Sequence, residues 1–273
     1  MDITLPPQPQ SQGDTPSSKP AKLHECYACQ DHGFRGWKTP TAGYPLKECQ
    51  VCDCRTGQRV AAYYQRKETE AQQLRLDRLF AGAGIPPHFR DFTIDTLVAR
   101  AGNDPAKQPA ITAVQQFVNE GLVTCPITNR YKAGIVLSGE FGCGKTGLLT
   151  PALRAMIEQG KSGLWVEMYG FLGAIQQGYE DGDSNAKLTA AQKADVILLD
   201  DLGDVERQRP ETDDRRRLLY ELINYRHNNA LPMLVTTNCD AELIAKQLGT
   251  RTMERIFESC AWIGMGGRNL RME

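Results

Sequence analysis

The sequence GIVLSGEFGCGKT, residues 134–146, decides the fold of this chain. It begins with a mostly apolar run of strand length, and the residues that follow match G-x-x-x-x-G-K-[ST] at every fixed position. Glycines at 139, 142 and 144 let successive backbone N–H groups point inward, and a helix predicted to begin near Lys145 adds the positive end of its dipole. The stretch therefore predicts a cradle for the phosphates of a nucleotide.

Two side chains of this loop have predicted roles. Lys145 is expected to neutralise the outer phosphates, and the Thr146 hydroxyl is expected to take one coordination position on Mg²⁺. Glu140 and Cys143 occupy variable positions and are assigned no chemistry of their own. The predicted nucleotide-binding loop consists of Gly139, Glu140, Phe141, Gly142, Cys143, Gly144, Lys145, Thr146 and Gly147.

From Gly134 onward, strand-like and helix-like segments alternate. Strands are predicted at Ile135–Ser138, Leu164–Met168, Val196–Asp200, Leu231–Thr236 and Ala261–Met265. Helices are predicted at Thr146–Gln159, Phe171–Gln177, Asn185–Lys193, Thr212–His227, Ala241–Leu248 and Thr250–Ser259, with earlier ones at Val60–Phe80 and Pro109–Gly121. Because the strands are continuous apolar runs, we predict an α/β fold with a parallel five-stranded sheet covered by helices on both faces. Such sheets bind ligands beyond the carboxyl ends of their strands.

Length and composition limit the class of protein. The chain has 273 residues, 41% of them hydrophobic, which suits one or two globular domains. No apolar run approaches the roughly 18 residues that cross a bilayer, and the N-terminus lacks a signal pattern, so we expect a cytoplasmic protein without a membrane contact. The 32 basic and 33 acidic residues nearly balance, so any contact with nucleic acid must come from a local basic patch.

Four regions are predicted along the chain. Residues 1–22 are rich in Pro, Gln and Ser and are expected to be a flexible tail. Residues 23–59 hold five of the cysteines, residues 60–83 are expected to form a helical linker, and residues 84–273 contain the nucleotide-binding domain.

The clustered cysteines predict a zinc site. Two closely spaced pairs, Cys26-x-x-Cys29 and Cys49-x-x-Cys52, can aim four sulfurs at one tetrahedral ion. Cys54 is an alternative ligand, since Cys52-x-Cys54 is a second possible pair. His24 or His32 could also replace one sulfur. A module this short has little apolar core, so the metal would supply most of its folding free energy.

Polar residues follow two further predicted strands. Asp200 and Asp201 end a run of four aliphatic residues, and crowded, unpaired carboxylates at such a place are costly. A bound cation resolves this: Asp200 would hold magnesium and Asp201 would polarise an attacking water, although Asp201 could instead cap the following turn. Asn238 follows another strand and could hydrogen-bond the terminal phosphate and that water, or serve as a turn residue.

Two arginines lie one helical turn apart in the last predicted helix. Arg251 and Arg255 are either surface residues in ion pairs, with Glu254 or Glu258 as partners, or one of them reaches the nucleotide of a neighbouring subunit. A second basic cluster follows Asp201, in which acidic residues are interspersed. That cluster, a candidate for single-stranded DNA or a solvated charged face, comprises Arg207, Arg209, Arg215, Arg216 and Arg217.

From about Ile85 to Arg271, the chain resembles the DnaC/DnaI helicase-loader and IstB branch of the AAA+ ATPases. The resemblance is carried by IPPHFRDFTIDTL, GEFGCGKT, VILLDDLG, LLYELINYRHNN, TTN, GTRTMERIF and GGRNLR. It implies an ATPase in which Asp201 is the catalytic acid/base and Asn238 a sensor of the terminal phosphate. It also implies an arginine finger that acts on a neighbouring subunit, with Arg255 as the first candidate and Arg251 as the second. The adenine-binding stretch of the family would fall on Ile85–Phe92.

The resemblance also implies a biological role. Loaders of the DnaI kind carry an N-terminal metal-binding module that grips the replicative helicase, and the cysteine-rich region looks like such a module. We therefore expect an ATP-dependent loader of a hexameric helicase, of bacterial or phage origin, that assembles with its own copies and with single-stranded DNA. The alternatives are an IstB-like ATPase helper of a transposase and an ATP-binding adaptor with little hydrolysis. Gly147, where the family often has His, and the short segment after Ser259, too short for a helical lid, depart from the family pattern.

Overall fold

The computed structural model describes residues 25–35, 39–41, 46–101, 104–181, 184–204, 206 and 210–267. The predicted tail, His24, Arg207 and Arg209 lie outside these ranges. The chain divides into two compact units, Met1–Ala71 and Gln72–Glu273. Among the described residues, no helix combines the length and the apolar character needed to cross a membrane.

The described helices and strands alternate through most of the second unit. The α-helices are α1 (Arg55–Gly82), α2 (Ile94–Ala101), α3 (Gln108–Glu120), α4 (Lys145–Glu158), α5 (Met168–Asp181), α6 (Ser184–Lys193), α7 (Asp213–Asn228), α8 (Ala241–Leu248) and α9 (Thr250–Ser259). The strands are β1 (Val123–Thr124), β2 (Tyr131–Lys132), β3 (Gly134–Ser138), β4 (Gly163–Glu167), β5 (Val196–Asp200), β6 (Met233–Thr237) and β7 (Cys260–Gly264). The first two strands form a separate antiparallel hairpin.

The other five strands form one sheet in the order β4-β5-β6-β3-β7, and every neighbouring pair is parallel. Strand β3, which leads into the phosphate loop, lies between β6 and β7. The register pairs Leu199 of β5 with Val235 of β6 and Ser138 of β3 with Thr237 of β6. The carboxyl ends of β3, β5 and β6 are therefore neighbours, which places their polar residues at one edge.

Alternate residues of each strand point to opposite faces of the sheet, and both faces are buried. Ile135 and Leu198 belong to a cluster that includes α3 and α4. Val136 and Leu199 belong to a second cluster with residues of α5 through α9. All residues of β5 and β6 are buried, so these strands lie in the core and orient the polar residues at their ends.

The five predicted strands and the parallel sheet are confirmed, with ends that agree to within two residues. Helix α5 begins three residues before its prediction because the Glu167 carboxylate accepts the N–H groups of Tyr169 at 3.0 Å and Gly170 at 2.7 Å, which caps its first turn. Helix α2 and the β1–β2 hairpin were not predicted from the sequence. Two-residue strands leave too little periodicity to detect. The predicted domain boundaries stay predictions.

The first unit is built from two short segments and the start of α1. Phe34 and Val51 form an isolated antiparallel bridge, which aligns the segments that carry the cysteine pairs. Helix α1 begins at Arg55, before the predicted start, and within it only Gly57 is buried. The unit thus has few buried apolar side chains among its described residues, as expected for a module stabilised by a metal.

Candidate nucleotide-binding site

The phosphate loop follows β3 and ends at the first turn of α4. Gly144 precedes the helix with φ 103°, and Gly142 has φ 78°, both in the left-handed region that favours glycine. At Gly139 a Cβ atom would overlap the carbonyl oxygen of Met265, which follows β7. The glycine spacing in the sequence is therefore required by backbone conformation at two positions and by close packing at the third.

Lys145 lies inside the loop and is 5% exposed. Its Nζ donates to the carbonyl oxygens of Gly139 at 2.9 Å and Glu140 at 2.7 Å, and to Asn238 Oδ1 at 2.7 Å. The ammonium group is thus held at the carboxyl ends of β3 and β6 and does not extend into solvent. A phosphate bound in the loop would find a positive charge already in position.

Asp200 ends β5 and is 8% exposed. Its Oδ1 accepts hydrogen bonds from Thr146 Oγ1 at 2.9 Å and Thr236 Oγ1 at 2.7 Å. Burial nevertheless raises the pKa of Asp200, because desolvation of the carboxylate outweighs these two hydrogen bonds. A buried carboxylate beside a threonine hydroxyl is a set of hard oxygen ligands, so Asp200 and Thr146 fit Mg²⁺.

Asp201 follows Asp200 with φ 55° in the left-handed region. Its backbone N–H donates to Thr236 Oγ1 at 2.9 Å, and its Oδ1 accepts from Asn238 Nδ2 at 3.2 Å. One chain of hydrogen bonds therefore joins Lys145, Asn238 and Asp201. This arrangement brings the Asp201 carboxylate next to the side chains that hold Lys145, and both its catalytic role and its alternative role as a cap of the following turn stay predictions.

Thr236 and Glu167 contribute to the site and were missed in the sequence. Thr236 is fully buried and bridges the Asp200 side chain to the Asp201 backbone. Glu167 pairs with Asp200 in the register of β4 and β5, and its charge adds to the rise in the pKa of Asp200. The sequence shows a threonine near the end of the predicted strand β6, which could have suggested a site residue. Only the register of β5 and β6, however, shows that Thr236 is a neighbour of Asp200.

Arg255 is engaged within the chain. Its Nη1 lies 2.6 Å from Glu258 Oε2 and 3.4 Å from His227 Nε2. This hydrogen bond to Glu258 raises the pKa of Arg255. Arg251 is exposed and makes no hydrogen bond or ion pair with another described residue. The role of either arginine toward a neighbouring subunit stays a prediction.

The stretch Ile85–Phe92 lies along β4, at the end of the sheet order opposite to β7. Phe89 stacks on Trp165 with ring centroids 5.2 Å apart. The backbone N–H of Trp165 donates to the carbonyl oxygen of Ala83 at 2.7 Å, so the chain just before this stretch pairs with the edge strand. These contacts explain its packing, and the predicted contact with adenine stays a prediction.

In the first unit, four thiols form a compact group: Cys26, Cys29, Cys52 and Cys54, with sulfurs within 4.8 Å of one another. The Cys26–Cys52 and Cys29–Cys54 sulfur distances are both 3.6 Å. A tetrahedral ion with Zn–S bonds of about 2.3 Å needs sulfurs about 3.8 Å apart, close to these two distances, so the group is compact enough to hold zinc.

This geometry corrects the preferred ligand set, because Cys54 and not Cys49 joins the group. Cys49 lies at the end of a 3-10 turn, where its N–H donates to the carbonyl oxygen of Leu46 at 2.9 Å. Cys54 immediately precedes α1, and the Gly57 N–H donates to its sulfur at 3.3 Å. The amides at a helix start favour a thiolate, an effect that cysteine spacing does not reveal. His32 is not part of the group either.

Thiol pKa values in the group differ with their surroundings. Burial raises the pKa of Cys29 to about 11, whereas a hydrogen bond from the Cys54 backbone helps lower the pKa of Cys52 to about 6. Thiolates are the metal-binding form, so the surroundings of Cys52 favour the form that binds a metal.

A phosphate loop at the end of a central parallel strand, with paired carboxylates on a nearby strand, defines the class of P-loop nucleotide-binding α/β proteins. Residues 110–273 match the family described as IstB-like ATP binding protein. This match covers more than half of the chain, and the chain therefore belongs to that family of ATP-binding proteins.

Individual proteins support the same assignment. XkdC, a protein of the phage-like element PBSX of Bacillus subtilis (strain 168), is 26% identical over 259 residues, 91% of this chain and 84% of XkdC. The replicative helicase loader DnaC of Escherichia coli (strain K12) is 20% identical over 191 residues, 69% of this chain and 72% of DnaC. The crystal structure of the DnaI has a TM-score of 0.54 at 25% identity and covers 70% of this chain and 96% of that chain. The resemblance to the DnaC/DnaI and IstB branch, and the AAA+ fold, are thereby confirmed.

Proposed function

We propose that this chain is an ATP-dependent loader of a hexameric replicative helicase in bacterial or phage DNA replication. The observation that carries the proposal is the hydrogen-bonded line from Lys145 through Asn238 to Asp201, beside the Thr146–Asp200 pair. DnaC of Escherichia coli (strain K12), whose alignment covers 69% of this chain and 72% of DnaC, is named a replicative helicase loader. The N-terminal region that carries Cys26, Cys29, Cys52 and Cys54 is called the four-thiol module below. Because ATPase helpers of transposases generally lack such a module, that alternative is not favoured.

The proposed reaction is the hydrolysis of ATP. Lys145 would bind the outer phosphates, and Asp201 Oδ1 would accept a proton from the attacking water while Asn238 orients that water and the terminal phosphate. Thr146 and Asp200 would hold Mg²⁺, which neutralises charge on the phosphates when bound. Turnover of wild type and Asp201→Asn tests this step: an equal, negligible rate in both would favour the adaptor with little hydrolysis.

Assembly of several copies is the second part of the proposal. Arg255, with Arg251 as the other candidate, would act on the nucleotide of a neighbouring copy. A mixing experiment tests this: Lys145→Ala and Arg255→Ala protomers each lack one half of such a composite site. Combined, they should hydrolyse ATP faster than the sum of the two alone. A rate equal to that sum would assign the finger to another residue, and Arg251→Ala is the next variant to mix.

The third part concerns the partners. The four-thiol module would hold zinc and bind the helicase, and single-stranded DNA would contact the ATPase domain. The basic cluster gives the DNA contact little support, since each of its described arginines has a carboxylate within 4.0 Å. These pairs are Arg215–Glu211, Arg216–Asp213 and Arg217–Asp214.

The decisive experiment is a pull-down of a hexameric replicative helicase with the full chain, with and without ATP. Retention that is lost in the Cys26→Ser/Cys29→Ser variant supports a loader whose zinc module grips the helicase. Retention that survives in that variant assigns the contact to the ATPase domain. No retention by wild type, with zinc bound and the chain folded, would overturn the loader function.

A further inference from the structure

The segments that carry the four thiols are held together by backbone hydrogen bonds. The Cys52 N–H donates to the Gly33 carbonyl oxygen at 2.9 Å, and the Arg35 N–H donates to the Gln50 carbonyl oxygen at 2.6 Å. Arg35 is thereby placed beside the strand-like segment that leads to Cys52. Its side chain reaches along that segment, and Nη2 lies 2.8 Å from Asp53 Oδ2.

Arg35 therefore lies next to the segment that carries Cys52 and Cys54. Asp53, its ion-pair partner, stands between Cys52 and Cys54 in the chain. Contact with the Cys52 side chain, followed by the charge of Asp53, raises the pKa of Arg35. The guanidinium is half-exposed, so its position is set by these two partners rather than by burial.

The first turn of α1 also contacts the segment that carries the thiols. Gly57 N–H donates to Cys54 Sγ at 3.3 Å, and Gln58 N–H donates to the Cys54 carbonyl oxygen at 3.0 Å. Gly57 is buried, and a Cβ atom there would overlap the carbonyl oxygen of Cys52. Only glycine lets the helix start approach this closely.

These contacts matter because of charge. Four thiolates around one divalent ion leave a net charge of about −2. Two carboxylates add to it: Asp53, and Asp31, which accepts the N–H groups of Glu25 at 3.0 Å and Cys26 at 2.9 Å. The Arg35 guanidinium and the positive end of α1 oppose this charge.

We propose that Arg35 and the first turn of α1 are the positioning groups of the zinc site: Arg35, through its ion pair with Asp53, for the segment Cys52–Cys54, and the Gly57 amide for the Cys54 sulfur. The inference rests on the zinc module of the proposed function. It makes zinc occupancy and the start of α1 interdependent: zinc fixes the Cys54 sulfur that caps the helix, and the helix start stabilises the metal-bound thiolate.

The test measures zinc affinity of the full chain by competition with a chromophoric chelator. Arg35→Gln removes the positive charge and should raise the zinc dissociation constant about tenfold or more. Arg59→Gln is the matched control: Arg59 is an exposed arginine of α1 that makes no hydrogen bond or ion pair with another described residue. Arg35→Lys keeps the charge without the planar fork and should fall between Arg35→Gln and wild type.

A second measurement follows amide hydrogen exchange at residues 55–58. Removal of zinc by EDTA should increase exchange there, and Arg35→Gln should shift the zinc concentration at which protection returns. Equal zinc affinity in wild type, Arg35→Gln and Arg59→Gln would overturn the role of Arg35, and unchanged exchange after zinc removal would overturn the link to α1. If wild type takes up no zinc, the zinc module itself is wrong, which is a separate and recognisable result.

Discussion

Replacement of Thr236 by valine removes one hydroxyl from the centre of the site and keeps the shape of the side chain. That hydroxyl donates to Asp200 Oδ1 at 2.7 Å and accepts the Asp201 N–H at 2.9 Å. A hydrogen bond to a charged group contributes about 1.5–3 kcal/mol, and an unpaired buried N–H costs about 1–3 kcal/mol. Since neighbouring effects do not add fully, we expect the free energy of unfolding to fall by about 3 kcal/mol.

The same substitution should affect ligand binding. Among the groups that lower the pKa of Asp200, the Thr236 hydroxyl has the largest effect, so Thr236→Val should push that pKa further up and weaken the site for a cation. It also frees the Asp201 backbone, which is held at φ 55°. We expect magnesium-dependent ATP affinity and turnover each to drop at least about tenfold.

Thr237→Val is the matched control. Thr237 is the adjacent residue of β6, equally buried, and its hydroxyl donates to the Leu202 carbonyl oxygen at 2.6 Å and accepts the Cys239 N–H at 3.0 Å. It should lower stability by about 2 kcal/mol, because its partners are neutral, and leave the magnesium dependence of ATP binding in place. Urea unfolding and calorimetric titration with ATP at several magnesium concentrations measure both effects. If the two variants lose magnesium-dependent affinity equally, the site assigned to Asp200 is wrong.

Three further predictions follow from the site and the thiol group. Because burial raises the pKa of Asp200, the nucleotide-free protein loses stability as the pH rises through that pKa; Asp200→Asn should therefore unfold at higher urea at pH 7 and lose turnover about a hundredfold. A destabilised Asp200→Asn variant at pH 7 would contradict this. Gly139→Ala should lower stability by about 1–3 kcal/mol and weaken ATP binding measured by fluorescence titration, because its Cβ meets the Met265 carbonyl oxygen; unchanged binding would show that the loop tolerates the shift. Cys54→Ser should release bound zinc in a colorimetric assay whereas Cys49→Ser should retain it, and the reverse pattern would restore the original ligand set.

Helix and strand positions in the nucleotide-binding domain could be predicted because local signals agreed with packing. Helix α8 matches its prediction at both ends, and the Asp240 side chain accepts the Leu243 N–H at 2.7 Å, a standard N-cap. Helix α9 starts directly after Gly249, whose φ of 96° separates the two helices. The apolar residues of β5 are all buried, as a continuous apolar run predicts for a central parallel strand.

Ligand identity in the thiol group could not be predicted from spacing. The C-x-x-C rule favours Cys49 because it describes a turn that aims two sulfurs. In the structure the choice is made by the start of α1, which supplies an amide to Cys54. A helix predicted to begin at Val60 gave no reason to expect that amide, so the preference for Cys49 rested on spacing alone.

Asp200 and Thr146 were predicted as site residues from the sequence, whereas Thr236 was not, and the cause is again a contact between distant segments. A motif names residues by their position along one segment, and Thr146 and Asp200 each belong to such a segment. Thr236 acquires its role only because β5 and β6 are neighbours in register, which brings together residues 36 positions apart in the chain. The hydroxyls of Thr146, in the first turn of α4, and Thr236, near the end of β6, then converge on one carboxylate oxygen. The relative positions of the side chains around Asp200 therefore depend on the order of the strands in the sheet. Substitutions that disturb the β5–β6 pairing should impair nucleotide binding even when every motif residue is intact.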